Sequence, residues 1–175
     1  ANVGIYGMGE IGKAFARRLK GFDTKIMYHN RSRNKDTEKA LGALYVPFDT
    51  LLEHSDFIIC TAPLTEETRN KFNAQAFEKM KSDAIFINIG RGAVVDEEAL
   101  VSALQNRQIA ACGLDVLREE PIDMAHPLLE MDNAVIVPHI GSASVTTRNR
   151  MIQLCVDNIR LVLNNQPAKT PVNLK

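Results

Sequence analysis

Six residues near the start of the chain, Gly7-Met8-Gly9-Glu10-Ile11-Gly12, have the spacing G-x-G-x-x-G, directly after the apolar run Val3-Gly4-Ile5-Tyr6 and before a helical pattern. Between a strand and a helix that spacing suits a pyrophosphate. The first glycine permits a tight turn, the second lets the backbone approach the phosphates, and the third allows close helix–strand packing. The amides of Glu10 and Ile11, at the positive end of the helix, would face the phosphates. About 20 residues further on, where a site for NAD carries an acid to hold the ribose hydroxyls, the next strand ends Tyr28-His29-Asn30-Arg31-Ser32-Arg33. No acid stands there. Asn30, Arg31, Ser32 and Arg33 instead offer a cationic fork for a ribose 2′-phosphate, which an acid would repel, so the expected cofactor is NADP, with NAD the less favoured. The plainer alternative is a solvated basic turn that continues through Lys35 and Asp36.

Three later segments carry polar groups that a scaffold does not need: Ile87-Asn88-Ile89-Gly90-Arg91-Gly92, Gly113-Leu114-Asp115-Val116-Leu117-Arg118-Glu119-Glu120-Pro121, and Val137-Pro138-His139-Ile140-Gly141-Ser142. Each follows an apolar run, and ligands of open α/β sheets bind beyond the carboxyl ends of the strands. An arginine, an acid and a histidine share that edge. A histidine so placed can supply a proton, a carboxylate beside it can orient it and keep it charged, and an arginine can hold a carboxylate through paired hydrogen bonds. Taken singly, each residue has a plainer reading. Arg91 could be a surface ion-pair partner, His139 a satisfied loop residue, and Glu119 as well as Glu120 could be the acid. His29, His54 and His126 have no partner pattern around them and are read as structural or solvent-facing.

The elements that must position these groups follow from the hydrophobic pattern. Apolar runs at Val3 to Tyr6, Lys25 to Tyr28, Phe57 to Cys60, Ala84 to Ile89, Ile109 to Leu114 and Ala134 to Val137 predict strands, with a weaker one at Ala43 to Val46 stopped by Pro47. Runs apolar on both faces belong to a parallel sheet covered on both sides. Between them Glu10 to Leu19, Asn73 to Met80 and Asp96 to Asn106 have helical spacing, and Asp96 is placed to cap the last of these. Thr146 to Asn164 reads as a long amphipathic helix with Ile152, Cys155, Val156, Ile159, Val162 and Leu163 on one face. The expected fold is therefore α/β, a doubly wound parallel sheet of the Rossmann dinucleotide-binding type.

Composition limits the rest. With 21 basic against 21 acidic residues in 175, net charge gives no reason to expect nucleic acid or a membrane surface as partner. No apolar run approaches the roughly 20 residues a bilayer requires, so a cytoplasmic protein is expected. Cys60, Cys112 and Cys155 all fall in apolar segments without Cys-x-x-Cys spacing, which reads as buried reduced thiols with no metal site.

Taken in order, the glycine turn, Pro63-Leu64-Thr65-Glu66-Glu67-Thr68, Asn88 to Gly92 with Val95-Asp96-Glu97, Asp115 to Pro121 and Pro138-His139-Ile140-Gly141 resemble the D-2-hydroxyacid dehydrogenases, within them the glyoxylate/hydroxypyruvate reductases. The resemblance runs from Val3 to about Leu163. It implies hydride transfer between a nicotinamide and C2 of a small 2-oxo acid, with Arg91, Glu120 and His139 as catalytic residues. It also implies that Asp115 contacts the nicotinamide carboxamide, that Pro63, Ile89 and Gly141 lie beside the cofactor, and that the protein is a homodimer. The family's substrate domain is missing, and Ala1 leads at once into a core strand, so the chain reads as cut from a longer protein. Residues 1–150 are the expected dinucleotide-binding domain, and 151–175 a helix and tail leading to the absent substrate domain. The competing reading is a binding module that senses NADP(H) without chemistry. A methyltransferase on the same sheet would not need the basic fork.

Overall fold

Seven short apolar runs become seven strands, all parallel, because each is followed by a segment long enough to return across a face of the sheet. A computed structural model describes residues 1–172; residues 173–175 of the expected tail lie outside the described residues. The order along the chain is β1 (Asn2–Tyr6), α1 (Glu10–Leu19), β2 (Lys25–His29), α2 (Lys35–Leu41), β3 (Ala43–Tyr45), α3 (Phe48–His54), β4 (Phe57–Cys60), α4 (Ala74–Glu78), β5 (Ile85–Asn88), α5 (Glu97–Gln105), β6 (Ala111–Leu114), β7 (Ala134–Ile136) and α6 (Val145–Leu163). In space the strands run β3-β2-β1-β4-β5-β6-β7. Strand order reverses between β1 and β4, and a ligand crevice belongs at such a switch point.

Alternate residues of the central strands feed two cores. Ile58 joins Leu51, Leu52, Phe72, Phe77, Phe86, Leu100 and Leu104 from α3, the segment before α4, α4, α5 and the neighbouring strand. Ile59 faces the other way, into Val3, Ile5, Ala16, Leu19, Tyr28 and Leu41 under α1 and α2. The first core is aromatic, with Phe86 lying 4.7 Å from Phe72 and 5.6 Å from Phe77 between ring centres. Buried rings of this kind carry much of the apolar burial of a small domain.

Two helices escape the sequence pattern. Lys35 and Asp36 open α2 instead of prolonging a polar turn. The Asn34 side chain accepts a hydrogen bond from the Thr37 amide at 2.9 Å, and Gly42 ends the helix at φ +67°. Helix α3 starts at Phe48 directly after Pro47 and buries Leu51 and Leu52 completely. Helices of seven residues carry too few turns for periodicity to be read, and their stability comes from packing. Asp96 does cap α5, accepting from the Ala99 amide at 3.2 Å.

The chain divides into two compact units, Ala1–Pro138 and a second that begins at His139. In the second, no residue of α6 is buried, and Ile152, Val156, Ile159, Val162 and Leu163 are all exposed. Cys155 rides on that helix and is exposed, unlike the buried thiol its apolar neighbours suggested, whereas Cys60 and Cys112 are buried and burial pushes both thiols up to about 12. The expected tail turns back along α6. The Asn158 carboxamide oxygen accepts from the Lys169 amide at 2.8 Å, and the Lys169 ammonium reaches Asp157 at 2.6 Å. Among the described residues no helix is long and apolar enough to cross a membrane, and no cluster of side chains could hold a metal ion.

At the amino edge of the sheet Asp56, just before β4, ties three pieces together. It accepts from the Asn2 amide at 2.7 Å and from the Lys81 ammonium at 2.5 Å, and these contacts, the lysine first, hold its carboxyl below the ordinary value. A carboxylate with a lowered folded pKa stabilises above its unfolded pKa, and that contribution is lost as pH falls through the folded one. Asp56→Asn is expected to cost about 1 kcal/mol at pH 7. In thermal melts the gap between variant and parent should shrink as pH is lowered below the usual carboxylate range.

Candidate functional site

Each strand-end loop begins on a hydrogen bond that prolongs the sheet ladder. The Gly7 amide donates to the His29 carbonyl at 3.0 Å, Thr61 to Tyr6 at 2.9 Å, Ile89 to Cys60 at 3.0 Å and Asp115 to Asn88 at 3.0 Å. The register of the strands is thereby carried one residue beyond them, so the loops are placed by the sheet. They also lie close to one another. A Cβ on Gly7, which stands at φ +103°, would sit 2.7 Å from the Ala62 nitrogen, and one on Gly90 would meet the Ala62 carbonyl oxygen at 2.6 Å. The Thr61 hydroxyl closes the first gap by donating to the Gly7 carbonyl.

Above the glycine turn the space is open. Nothing lies within 4 Å of where a Gly9 Cβ would be, and no side chain caps α1, so its first-turn amides face outward at Glu10 and Ile11. Gly12 packs against the Gly7 carbonyl, where a Cβ would overlap it. Space for a phosphate over the turn and uncapped helix amides below it fit a dinucleotide. Glu10 pairs with Lys13 at 3.1 Å on the wet side of the helix.

The turn opens into a cleft of about 510 Å³ between the ends of β2 and β4. Gly7, Asn30, Arg31, Ser32 and Pro63, which the sequence analysis expected beside a cofactor, are among the residues that line it. Asn30 also has a structural part. Its carboxamide oxygen accepts the Met8 amide at 2.6 Å and so straps the glycine turn to the end of β2. Arg33 is not in the cleft. Its guanidinium is engaged by Glu38 through two 2.8 Å hydrogen bonds, and the same carboxylate accepts the Tyr28 hydroxyl at 2.9 Å. Arg31 lies 3.7 Å from Glu67, with both side chains largely in water.

Several lining residues carried no signal of function in the sequence. Tyr6, His29 and Lys71 form part of the wall. The Tyr6 ring stacks on the His29 imidazole at 5.9 Å, and burial, with Cys60 and Glu67 adding to it, pushes the phenol up to about 12, so it remains a neutral hydroxyl. His29 Nδ1 lies 2.9 Å from the Val46 carbonyl oxygen. A carbonyl can only accept, so Nδ1 carries the hydrogen and Nε2 is the other face of the ring.

The loops after β5 and β6 are built as one piece. Asn88 is 1% exposed at the end of an otherwise apolar strand. Its carboxamide accepts from the Gly90 amide at 3.0 Å and donates to the Arg91 carbonyl at 3.1 Å, which fixes the turn that presents Arg91 to solvent. Arg91 donates to the Gly90 carbonyl at 2.7 Å. Gly92 lies directly against the Leu117–Arg118 peptide, where a Cβ would overlap the backbone. That peptide is also held by Glu97 of α5, which accepts the Arg118 amide at 2.5 Å and faces His126 Nε2 at 3.6 Å. Within the loop the Glu120 carboxylate folds back to accept the Leu117 amide at 3.0 Å. Glu119 instead lines a separate cleft with Glu97, Glu98 and Asp123. In the sequence Glu97 stood only within the Val95-Asp96-Glu97 stretch, with no role attached to it. In the second unit His139 stands at φ +51°, in the left-handed region that Asp23, Asn70, Arg107 and Asn165 also occupy. Ile140 and Gly141 follow it, the Ile140 carbonyl accepting from Ala143, before Ser144 caps α6.

Comparison with known proteins bears directly on this arrangement. Residues 1–141 match the family model described as the D-isomer specific 2-hydroxyacid dehydrogenase, NAD binding domain. The glyoxylate/hydroxypyruvate reductase B of Salmonella newport (strain SL254) is 50% identical over 172 residues, which cover 98% of this chain and 53% of that protein. Among solved structures, the TT0316 protein of Thermus thermophilus superposes with a TM-score of 0.92 at 40% identity, covering 98% of this chain and 53% of that one. An NADPH-dependent glyoxylate/hydroxypyruvate reductase from Sinorhizobium meliloti, solved with NADP and malonate, gives 0.90 at 42% identity over 98% and 52%. The chain thus spans about half the length of these relatives.

Because Gly92 has no room for a side chain, Gly92→Ala must displace the Leu117–Arg118 peptide and disturb the hydrogen bond between the Arg118 amide and Glu97. A loss of about 1–3 kcal/mol is expected, the usual range for forcing an extra carbon into packed structure. The Arg118 amide resonance should move from its hydrogen-bonded position. An unaltered melt and an unaltered Arg118 signal would contradict the packing described.

Proposed function

The chain belongs to the D-isomer specific 2-hydroxyacid dehydrogenases, whose NAD-binding domain it matches over residues 1–141, and from there we propose that the protein reduces a small 2-oxo acid of the glyoxylate or hydroxypyruvate kind with NADPH, giving the D-2-hydroxy acid. The observation that carries the cofactor half is the cleft at the end of β2, where Arg31 and Ser32 stand in place of an acid. The half-identical reductases of Salmonella and the NADPH-dependent reductase of Sinorhizobium support the substrate half.

The residues of this chain divide the work as follows. Gly7, Gly9 and the amides of Glu10 and Ile11 would receive the pyrophosphate, with Pro63 flanking the cofactor on the β4 side and Ile89, Asp115 and Gly141 assigned to its nicotinamide half. The bound dinucleotide supplies the hydride. Arg91, set by the Asn88 turn, offers a planar pair of donors to a substrate carboxylate and strengthens as charge builds on the ketone oxygen. His139 would give that oxygen its proton, and the family resemblance assigns Glu120 as its carboxylate partner. Glu120 is preferred to Glu119 because it folds into the loop that Gly92 and Glu97 hold, whereas Glu119 lines the other cleft. The same reading extends to a homodimeric, cytoplasmic enzyme.

Two measurements test this. NADPH should bind about 100-fold more tightly than NADH, two charge-assisted contacts at roughly 1.5 kcal/mol each, and Arg31→Ala should remove most of the difference. In the intact protein His139→Ala should lower turnover of glyoxylate or hydroxypyruvate by roughly 10²–10⁴ with NADPH still bound. A protein that binds NADPH but reduces none of these acids would be a binding module, and the catalytic assignment would fall.

A further inference from the structure

We propose that Lys71 is the second cation that recognises the phosphate on the cofactor's adenosine ribose, taking the place that the sequence assigned to Arg33. The inference rests on the NADPH reading above and sharpens it.

A dianionic phosphate carries about −1.5 to −2 charges near pH 7, and a single exposed arginine is a weak match for it. Arg33 is occupied elsewhere. Its guanidinium makes two hydrogen bonds to Glu38, which also accepts the Tyr28 hydroxyl, and Arg33 is absent from the cleft wall. Swinging it into the cleft would strip a carboxylate of its bidentate partner. Lys71 needs no such exchange. It stands between the cleft that holds Arg31 and Ser32 and a second one lined by Phe48 and Asp49, and it makes no ion pair among the described residues, so its long side chain can turn to the first without breaking one. Its ammonium sits 4.4 Å from the centre of the Phe48 ring, a contact that holds a cation in place without neutralising it. Phe48 in turn packs against Tyr6 at 5.2 Å and His29 at 5.9 Å, both of which line the cleft.

The topology puts the two cations on different walls. Arg31 follows β2, whereas Lys71 follows β4, and these strands flank β1 and its glycine turn. Glu67, on the same segment as Lys71, opposes an incoming phosphate. Its 3.7 Å pair with Arg31 is largely in water, so it is a loose partner that a phosphate can displace. Lys71 offsets the charge that Glu67 leaves behind. The cleft then presents two cations and one carboxylate, net positive only because Lys71 is there.

Calorimetric titration of the intact protein with NADPH and with NADH tests the assignment. Lys71→Met is expected to weaken NADPH about tenfold and NADH less than twofold, Lys71→Arg to restore NADPH binding, and Arg33→Ala to leave both within about twofold. If Lys71→Met changes neither affinity while Arg31→Ala still weakens NADPH, the lysine assignment is wrong and the cofactor reading survives. Equal weakening of NADPH and NADH would make Lys71 a structural residue and reject the proposal. Should the unmodified protein bind the two cofactors equally, the NADPH reading itself fails and the proposal with it.

Discussion

The functional edge of this molecule depends on backbone meeting backbone without an intervening Cβ. Gly7 abuts Ala62, Gly90 abuts the same residue from the other side, and Gly92 abuts the Leu117–Arg118 peptide. Four strand-end loops are thereby packed side by side, and each starts on a ladder hydrogen bond inherited from the sheet. A side chain at any of these three positions would wedge two loops apart. The glycines are thus a condition for the loops after β1, β4, β5 and β6 to form a continuous surface on which polar groups keep fixed spacing.

That packing explains how a domain with an apolar interior holds exposed chemistry still. Arg91 and Glu120 are both exposed, yet neither loop is loose. Asn88 is buried and commits its carboxamide to the turn before Arg91. Glu97 reaches from α5 to the backbone of the loop carrying Glu120. Positioning groups of this kind need not touch substrate. They convert the rigidity of the sheet into orientation of side chains outside it. At the opposite edge Asp56 joins β1, β4 and the turn before β5.

Charge in the cofactor cleft is a local matter. The chain is neutral overall, so recognition of a phosphate cannot rely on a general field and must come from nearby cations. The end of β2 places one cation on the cleft wall and the segment after β4 another, while the remaining arginine of the basic stretch is taken up in stabilising α2 through Glu38. Local sequence density of basic residues is therefore a poor guide to which of them faces the cleft.

The sequence by itself determined the strand–helix alternation, the glycine turn at Gly7 to Gly12 and the place of Arg91, Asp115 and Glu120 beyond strand ends. These follow from apolar runs and local backbone chemistry, which need no knowledge of distant contacts. It also pointed to Arg31 and Ser32, because a β2 end without an acid is visible in one short segment. Tertiary structure decided the rest. Helices α2 and α3 are too short for periodicity and exist because Leu41, Leu51 and Leu52 find a core. Asn30 became a strut and Arg33 an ion-pair partner of Glu38, since the competing acceptor lies on a helix that the pattern did not reveal. Cys155 is exposed because an apolar neighbourhood in sequence is not burial in space. Tyr6, His29 and Lys71 come from three separate segments and meet at one cleft only because β1 lies between β2 and β4. No spacing along the chain encodes such a convergence, for it depends on which strands become neighbours.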